Sequence, residues 1–179
     1  VKVLRRLGAA RFDAALSTAG VTLEFDRDGG DPGLALALGG VGVDLRTLAR
    51  AYIALLHEGA MPDRLAFRPG EPVRWRPFID AEAARDVRRI LEMAPPPIGQ
   101  SAHSGTIAYK TGTSYGFRDA LAVGLAGGEV IAVWVGRPDG ASCAGCVGIS
   151  AAAPILFDLA APSSKSTQPS VRSPARPPP

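Results

Sequence analysis

The sequence predicts an α+β domain in which an antiparallel sheet is packed with helices. Three observations predict it. Segments 44–59 and 80–93 carry apolar residues at helical spacing. Three strand-like runs follow in a row, at 106–113, 120–125 and 129–135. An apolar segment at 151–159 then closes the pattern as a helix that packs back.

The elements follow in order. Lys2 to Leu7 and Phe12 to Ala19 read as two short helical pieces joined at Gly8. Thr22 to Phe25 suits a brief extended segment, and Asp26 to Gly33, with its Gly-Gly and Asp-Pro, reads as a turn or loop. Leu34 to Leu38 is a short apolar run leading into Gly39-Gly40-Val41-Gly42-Val43. That glycine cluster lacks the lysine of a phosphate-binding loop, so it reads as a tight loop feeding a helix. Asp44 has the chemistry of an N-cap, and Leu45, Leu48, Tyr52 and Leu55 predict a strongly buried helix that Gly59 ends. His57, in its last turn, reads as a surface residue suited to the helix dipole.

Met61 to Phe78 is rich in proline and arginine, with Val73, Trp75 and Phe78 as apolar anchors. Short strands at a sheet edge are expected there. A helix from Asp80 to Met93 places Ala84, Val87, Ile90 and Leu91 on one face, and Pro95-Pro96-Pro97 stops it. A loop then runs from Gly99 to Gly105. Gly127-Gly128 marks a hairpin between the second and third strand runs. Gly136 to Gly148 is a glycine-rich loop holding Cys143 and Cys146. From Pro162 the chain is Ser, Pro, Thr, Gln and Arg, so 162–179 is expected to be a disordered tail or linker.

Composition narrows the function classes. The 179 residues suit one domain, and 46% hydrophobic with 21% charged residues allows a sizeable core over residues 1–161. The pI is about 9.2, but no tract of five basic residues occurs, so nucleic-acid binding has little support. No apolar run reaches the ~18 residues that span a bilayer. A lone Cys-x-x-Cys admits a redox pair, half a zinc site or a small disulfide. Without a second pair or nearby histidines, a loop disulfide or two idle thiols is favoured, and no metal or other cofactor is expected.

The candidate site is Tyr109-Lys110-Thr111-Gly112-Thr113-Ser114-Tyr115-Gly116-Phe117-Arg118-Asp119. A lysine, three hydroxyls and two glycines stand here between apolar runs. Only 3 lysines accompany 17 arginines in the chain, and Lys110 alone among them sits between strand-like runs. A flexible ammonium can adjust its protonation where guanidinium cannot.

Lys-Thr-Gly on a strand is a signature of the penicillin-recognising serine enzymes. The longer run resembles the transpeptidase domain of class A penicillin-binding proteins of the 1C subtype. Leu38-Gly39-Gly40 with the following helix, Gly136-Arg137-Pro138-Asp139-Gly140, and Ala151 to Asp158 resemble other parts of that family, in order. The resemblance covers roughly Val1 to Ala161. It implies the C-terminal part of the penicillin-binding/serine β-lactamase-like transpeptidase fold. It implies a parent that cross-links peptidoglycan stem peptides and binds β-lactams. That parent is anchored at the periplasmic face of the inner membrane by its N-terminal region, with a glycosyltransferase domain upstream.

By this resemblance Lys110 and Thr113 are catalytic residues, Lys110 as a positive charge beside the nucleophile and Thr113 as an oxyanion donor through its N–H. Thr111, Gly112 and Ser114 are substrate-binding residues. Ser114 and Tyr115 also suit turn positions. The chain departs from the family in two ways. No Ser-x-x-Lys is present, because Ile107 and Pro162 stand three residues before Lys110 and Lys165. Ser-x-Asn is excluded because the chain has no asparagine. The expectation is a C-terminal fragment, inactive alone, of a working enzyme. The alternative is a non-catalytic remnant or binding module.

Overall fold

The computed structural model describes residues 1–25, 33–65, 68, 70–100 and 107–163. The expected loops at 26–32 and 101–105 and the tail from 164 lie outside the described residues. Two short helices, α1 (Lys2–Leu7) and α2 (Ala9–Thr18), break at Gly8, whose φ of 89° suits a residue without a Cβ. A single antiparallel bridge joins Glu24 to Gly42, and a 3₁₀ turn spans Gly33–Leu38 between them.

Helix α3 (Leu45–Ile53) starts at Asp44, whose carboxylate accepts from the Thr47 N–H at 3.0 Å. Strands β1 (Ala60–Pro62) and β2 (Trp75–Pro77) follow, then α4 (Ala81–Glu92). Asp80 caps α4 by accepting from the N–H groups of Glu82 and Ala83. The sheet comprises β3 (Ala108–Thr113), β4 (Asp119–Ala126) and β5 (Glu129–Gly136), an antiparallel meander in that order. Gly127 and Gly128 both have positive φ, which the two-residue hairpin turn requires. A π-helical turn (Gly148–Ala152) leads into α5 (Ala153–Ser163). Pro154 lacks the N–H that would close a regular turn there.

This is the α+β arrangement that the sequence predicts. Three apolar clusters hold it. Tyr109, Ala120, Ala122 and Val133 on one sheet face pack against Ala152, Ala153, Leu156 and Phe157. Full burial of a side chain such as Leu156 contributes on the order of 1.5–3 kcal/mol. On the opposite face, Ala108 and Leu125 meet Leu55 and Ala84, with Tyr52 and Leu91 alongside. The third cluster joins the N-terminal helices to Ala54 and Met61.

Four expectations are corrected. No residue of α3 itself is buried; burial begins after it, at Ala54 and Leu55, and of the helix only Tyr52 packs, partly buried, against the cluster on that sheet face. Strands β1 and β2 form their own two-stranded sheet rather than an edge of the main one. Trp75 is not a core anchor: it is half exposed, its ring 4.4 Å from that of the exposed His57. On α4 only Ala84 is buried and Leu91 packs; Val87 and Ile90 are exposed because no described element lies over them.

Candidate active site

Strand β3 is the outer strand of its sheet, with β4 on one side only. Its register with β4 pairs Lys110 with Val123, Gly112 with Leu121 and Thr113 with Ala120. Side chains alternate along a strand. Tyr109, Thr111 and Thr113 therefore share the α5 face, and Ala108, Lys110 and Gly112 share the α3–α4 face.

The direction of the main-chain groups follows from the turns at each end of the meander. Ser114 N–H donates to the Asp119 carbonyl at 2.9 Å, so this pair is hydrogen-bonded. In an antiparallel ladder, bonded and non-bonded pairs alternate. Gly112–Leu121 and Lys110–Val123 are then bonded pairs, while Thr111 and Thr113 turn their N–H and C=O groups away from β4. The two-residue hairpin at Ala126–Glu129 gives the same parity from the opposite end. Among the described residues, no main-chain partner meets the N–H groups of Thr111 and Thr113 at this edge.

Lys110 lies at the same edge. Its side chain is exposed, and its ammonium donates to the outward-turned carbonyl of Thr111. Gly112 leaves the sheet face beside it low. A Cβ there would meet only the Leu121 side chain, at 3.6 Å.

Two of the three hydroxyls, those of Thr113 and Ser114, are engaged. Thr113 Oγ1 accepts from the Gly148 N–H at 2.9 Å. Ser114 Oγ accepts from the Asp119 N–H at 2.8 Å, so Ser114 acts in this structure as a turn residue. Each hydroxyl keeps its own proton for donation. Beyond Ser114, Tyr115 and Phe117 project into solvent, and Phe117 has a φ of 55°. Asp119 accepts from the Trp134 indole at 2.8 Å, so it pairs with Trp134 and not with Arg118.

Tyr109 anchors the strand from below. Its ring meets Phe157 edge-on at 5.1 Å, and its hydroxyl donates to the Pro95 carbonyl. Burial pushes its pKa above the ordinary value of 10.0. Cys143 and Cys146 form a disulfide, the first of the two readings favoured for that pair. Sequence reasoning missed Gly148 as a site neighbour. Its only signal is the density of glycine and alanine across 148–153. Among the described residues no cluster of three or more His, Cys, Asp or Glu side chains forms, and no helix is long and apolar enough to cross a membrane.

An α+β domain with Lys-Thr-Gly-Thr on an outer strand, backed by a C-terminal helix, fits the transpeptidase fold of the penicillin-binding proteins. No family model matches the chain. It is related to penicillin-binding protein 1C of Escherichia coli (strain K12), with 40% identity over 158 residues, 87% of this chain. The chain spans 20% of that relative's length.

Proposed function

We propose that this chain is the C-terminal portion of a transpeptidase domain. In it, β3 binds the D-Ala-D-Ala end of a peptidoglycan stem peptide, or a β-lactam, beside a catalytic serine. The observation that carries this is the outward-turned main chain of Thr111 and Thr113 next to Lys110 and Gly112. An extended peptide adds to such an edge by main-chain hydrogen bonds. Gly112 allows its backbone to come close.

The outward-turned edge supports these proposed roles. The serine oxygen attacks the penultimate carbonyl, an ester bond forms, the peptide bond breaks, and D-alanine leaves with a proton. A neighbouring stem amine then takes the acyl group and frees the serine. The outward-turned Thr113 N–H is proposed to serve as an oxyanion donor, and removing one such donor costs ~10²–10³ in rate. The Lys110 ammonium favours the substrate carboxylate and the developing charge. Thr111 and Thr113 donate their hydroxyl protons. Ser114 fixes the turn that ends the strand and keeps one proton for the ligand.

Neither Ser-x-x-Lys nor Ser-x-Asn occurs in these 179 residues, and the proposal assigns the nucleophile to another part of the parent polypeptide. The parent is proposed to act at the periplasmic face of the inner membrane and to carry a glycosyltransferase activity. The same absence of motifs favours a second reading, a non-catalytic binding module.

Fluorescent penicillin distinguishes them. The parent polypeptide labels covalently, and Lys110→Ala reduces labelling by about 100-fold or more, on the scale of a lost electrostatic partner. The 179-residue chain alone does not label. A parent that never labels under conditions where it is folded supports the binding module.

A further inference from the structure

The bond from Gly148 N–H to Thr113 Oγ1 joins residues 35 apart in sequence. It exists because small side chains let the π turn settle on the sheet. Ala120, Ala122, Ala152 and Ala153 are buried together in the cluster between the sheet and α5, and Gly148 is buried beside Ala152. Gly148 itself is confined: a Cβ would lie 2.4 Å from the Gly112 carbonyl oxygen and 2.8 Å from that of Leu121.

The residues just before Gly148 are fastened to the same hairpin. Cys143 N–H donates to the Phe117 carbonyl at the hairpin tip, at 3.0 Å. Cys146 N–H donates back to the Cys143 carbonyl at 3.2 Å, and the disulfide joins the two side chains across 5.5 Å between their Cα atoms. Cys146 is buried in the same apolar layer as Tyr109 and Leu156. Segment 143–148 thus touches the β3–β4 hairpin twice, at Phe117 and at Thr113, with the covalent link between the two contacts.

We propose that the Cys143–Cys146 disulfide is a positioning element for Thr113. It holds Gly148 N–H on one lone pair of the threonine hydroxyl and so directs the hydroxyl proton toward an acceptor such as a ligand carboxylate. This rests on the reading of β3 as the ligand strand, but the link between disulfide and hydroxyl stands apart from it. A dithiol reductant reverses the device: it gives two electrons and two protons, closes to its own disulfide, and leaves two thiols here. The loop then samples more conformations, and the Gly148–Thr113 bond opens more often.

The test is residue-resolved hydrogen exchange on the 179-residue chain, oxidised and after dithiothreitol. Reduction is expected to speed exchange at the Gly148 and Cys143 amides by about tenfold, the mark of a local opening, with the centre of β4–β5 unchanged. Cys143→Ala reproduces this and no longer responds to dithiothreitol. Thr113→Val leaves Gly148 fast in both redox states, and Thr113→Ser restores the difference, which a merely structural bridge would not do. Equal Gly148 exchange in both states overturns the proposal. So does a uniform rise at all amides, or an unprotected Gly148 in the oxidised chain. In the penicillin-labelled parent, reduction slows acylation. If labelling never occurs while Gly148 still responds, the ligand reading fails and the positioning link stands.

Discussion

Ser114 and Asp119 close the end of the candidate site with two hydrogen bonds, Ser114 N–H to the Asp119 carbonyl at 2.9 Å and Asp119 N–H to Ser114 Oγ at 2.8 Å. The second replaces a main-chain bond with a side-chain one, so the turn depends on that hydroxyl. Ser114→Ala orphans a partly buried N–H and is expected to cost about 1–3 kcal/mol. Ser114→Thr keeps the acceptor and restores most of it. Urea denaturation of the three proteins checks this, and equal midpoints would sink the claim.

Two glycines in contact with each other respond differently to the same change. At Gly112 an added methyl meets only the Leu121 side chain, at 3.6 Å, so Gly112→Ala folds with near-native stability. It nevertheless raises the sheet face beside Lys110, and penicillin labelling of the parent should fall. At Gly148 the methyl meets two main-chain oxygens within 3 Å. Gly148→Ala must shift the π turn off the sheet, at about 1–3 kcal/mol. Thermal melts together with labelling separate the two outcomes. A Gly112→Ala protein that labels normally contradicts the close-approach role.

What the sequence reveals and what it conceals divide along local and non-local physics. The cap at Asp44 and the helix start at Asp80 are local chemistry, and the structure forms both. The three strands and the Gly127–Gly128 hairpin are likewise written in a few adjacent residues. The outer position of β3 follows from the short connections that make the meander. The covering of α4 is not local: its apolar stripe is plain, but which part finds a partner depends on elements distant in sequence. Ala84 and Leu91 find one, and Val87 and Ile90 do not. Strands β1 and β2 are three residues each and pair across a long connection, so no periodicity marks their partner. The Gly148–Thr113 bond belongs to the same kind. Only the closeness of two alanine-lined surfaces creates it.

Asp44 sets a pH dependence. Hydrogen bonds from the Thr47 side chain and then the Thr47 N–H hold its carboxyl below the ordinary value of 3.8. A group whose pKa is lower folded than unfolded stabilises the fold above its unfolded value. That contribution is lost as pH falls through the lower folded value. Asp44→Asn retains a capping oxygen but does not titrate. Asp44→Ala loses the cap at about 1 kcal/mol. The wild-type advantage over Asn is expected at neutral pH and to vanish well below pH 3.8 in melting curves. An advantage that persists there would show that charge at the cap is irrelevant.

The exposed stripe on α4 predicts how the isolated chain behaves. Ile90 is 65% and Met93 81% exposed, with Val87 beside them and Ile98 beyond the helix. Apolar side chains gathered on one surface favour association. Their exposure also means that removing them takes nothing from the core. Ile90→Glu with Met93→Glu should therefore change stability by only about 0.5 kcal/mol, as surface substitutions do. The same change should convert an associating chain into a monomer in sedimentation velocity. If the double variant instead unfolds, the stripe is packed in solution. If the wild-type chain sediments as a monomer at high concentration, the stripe does not drive association.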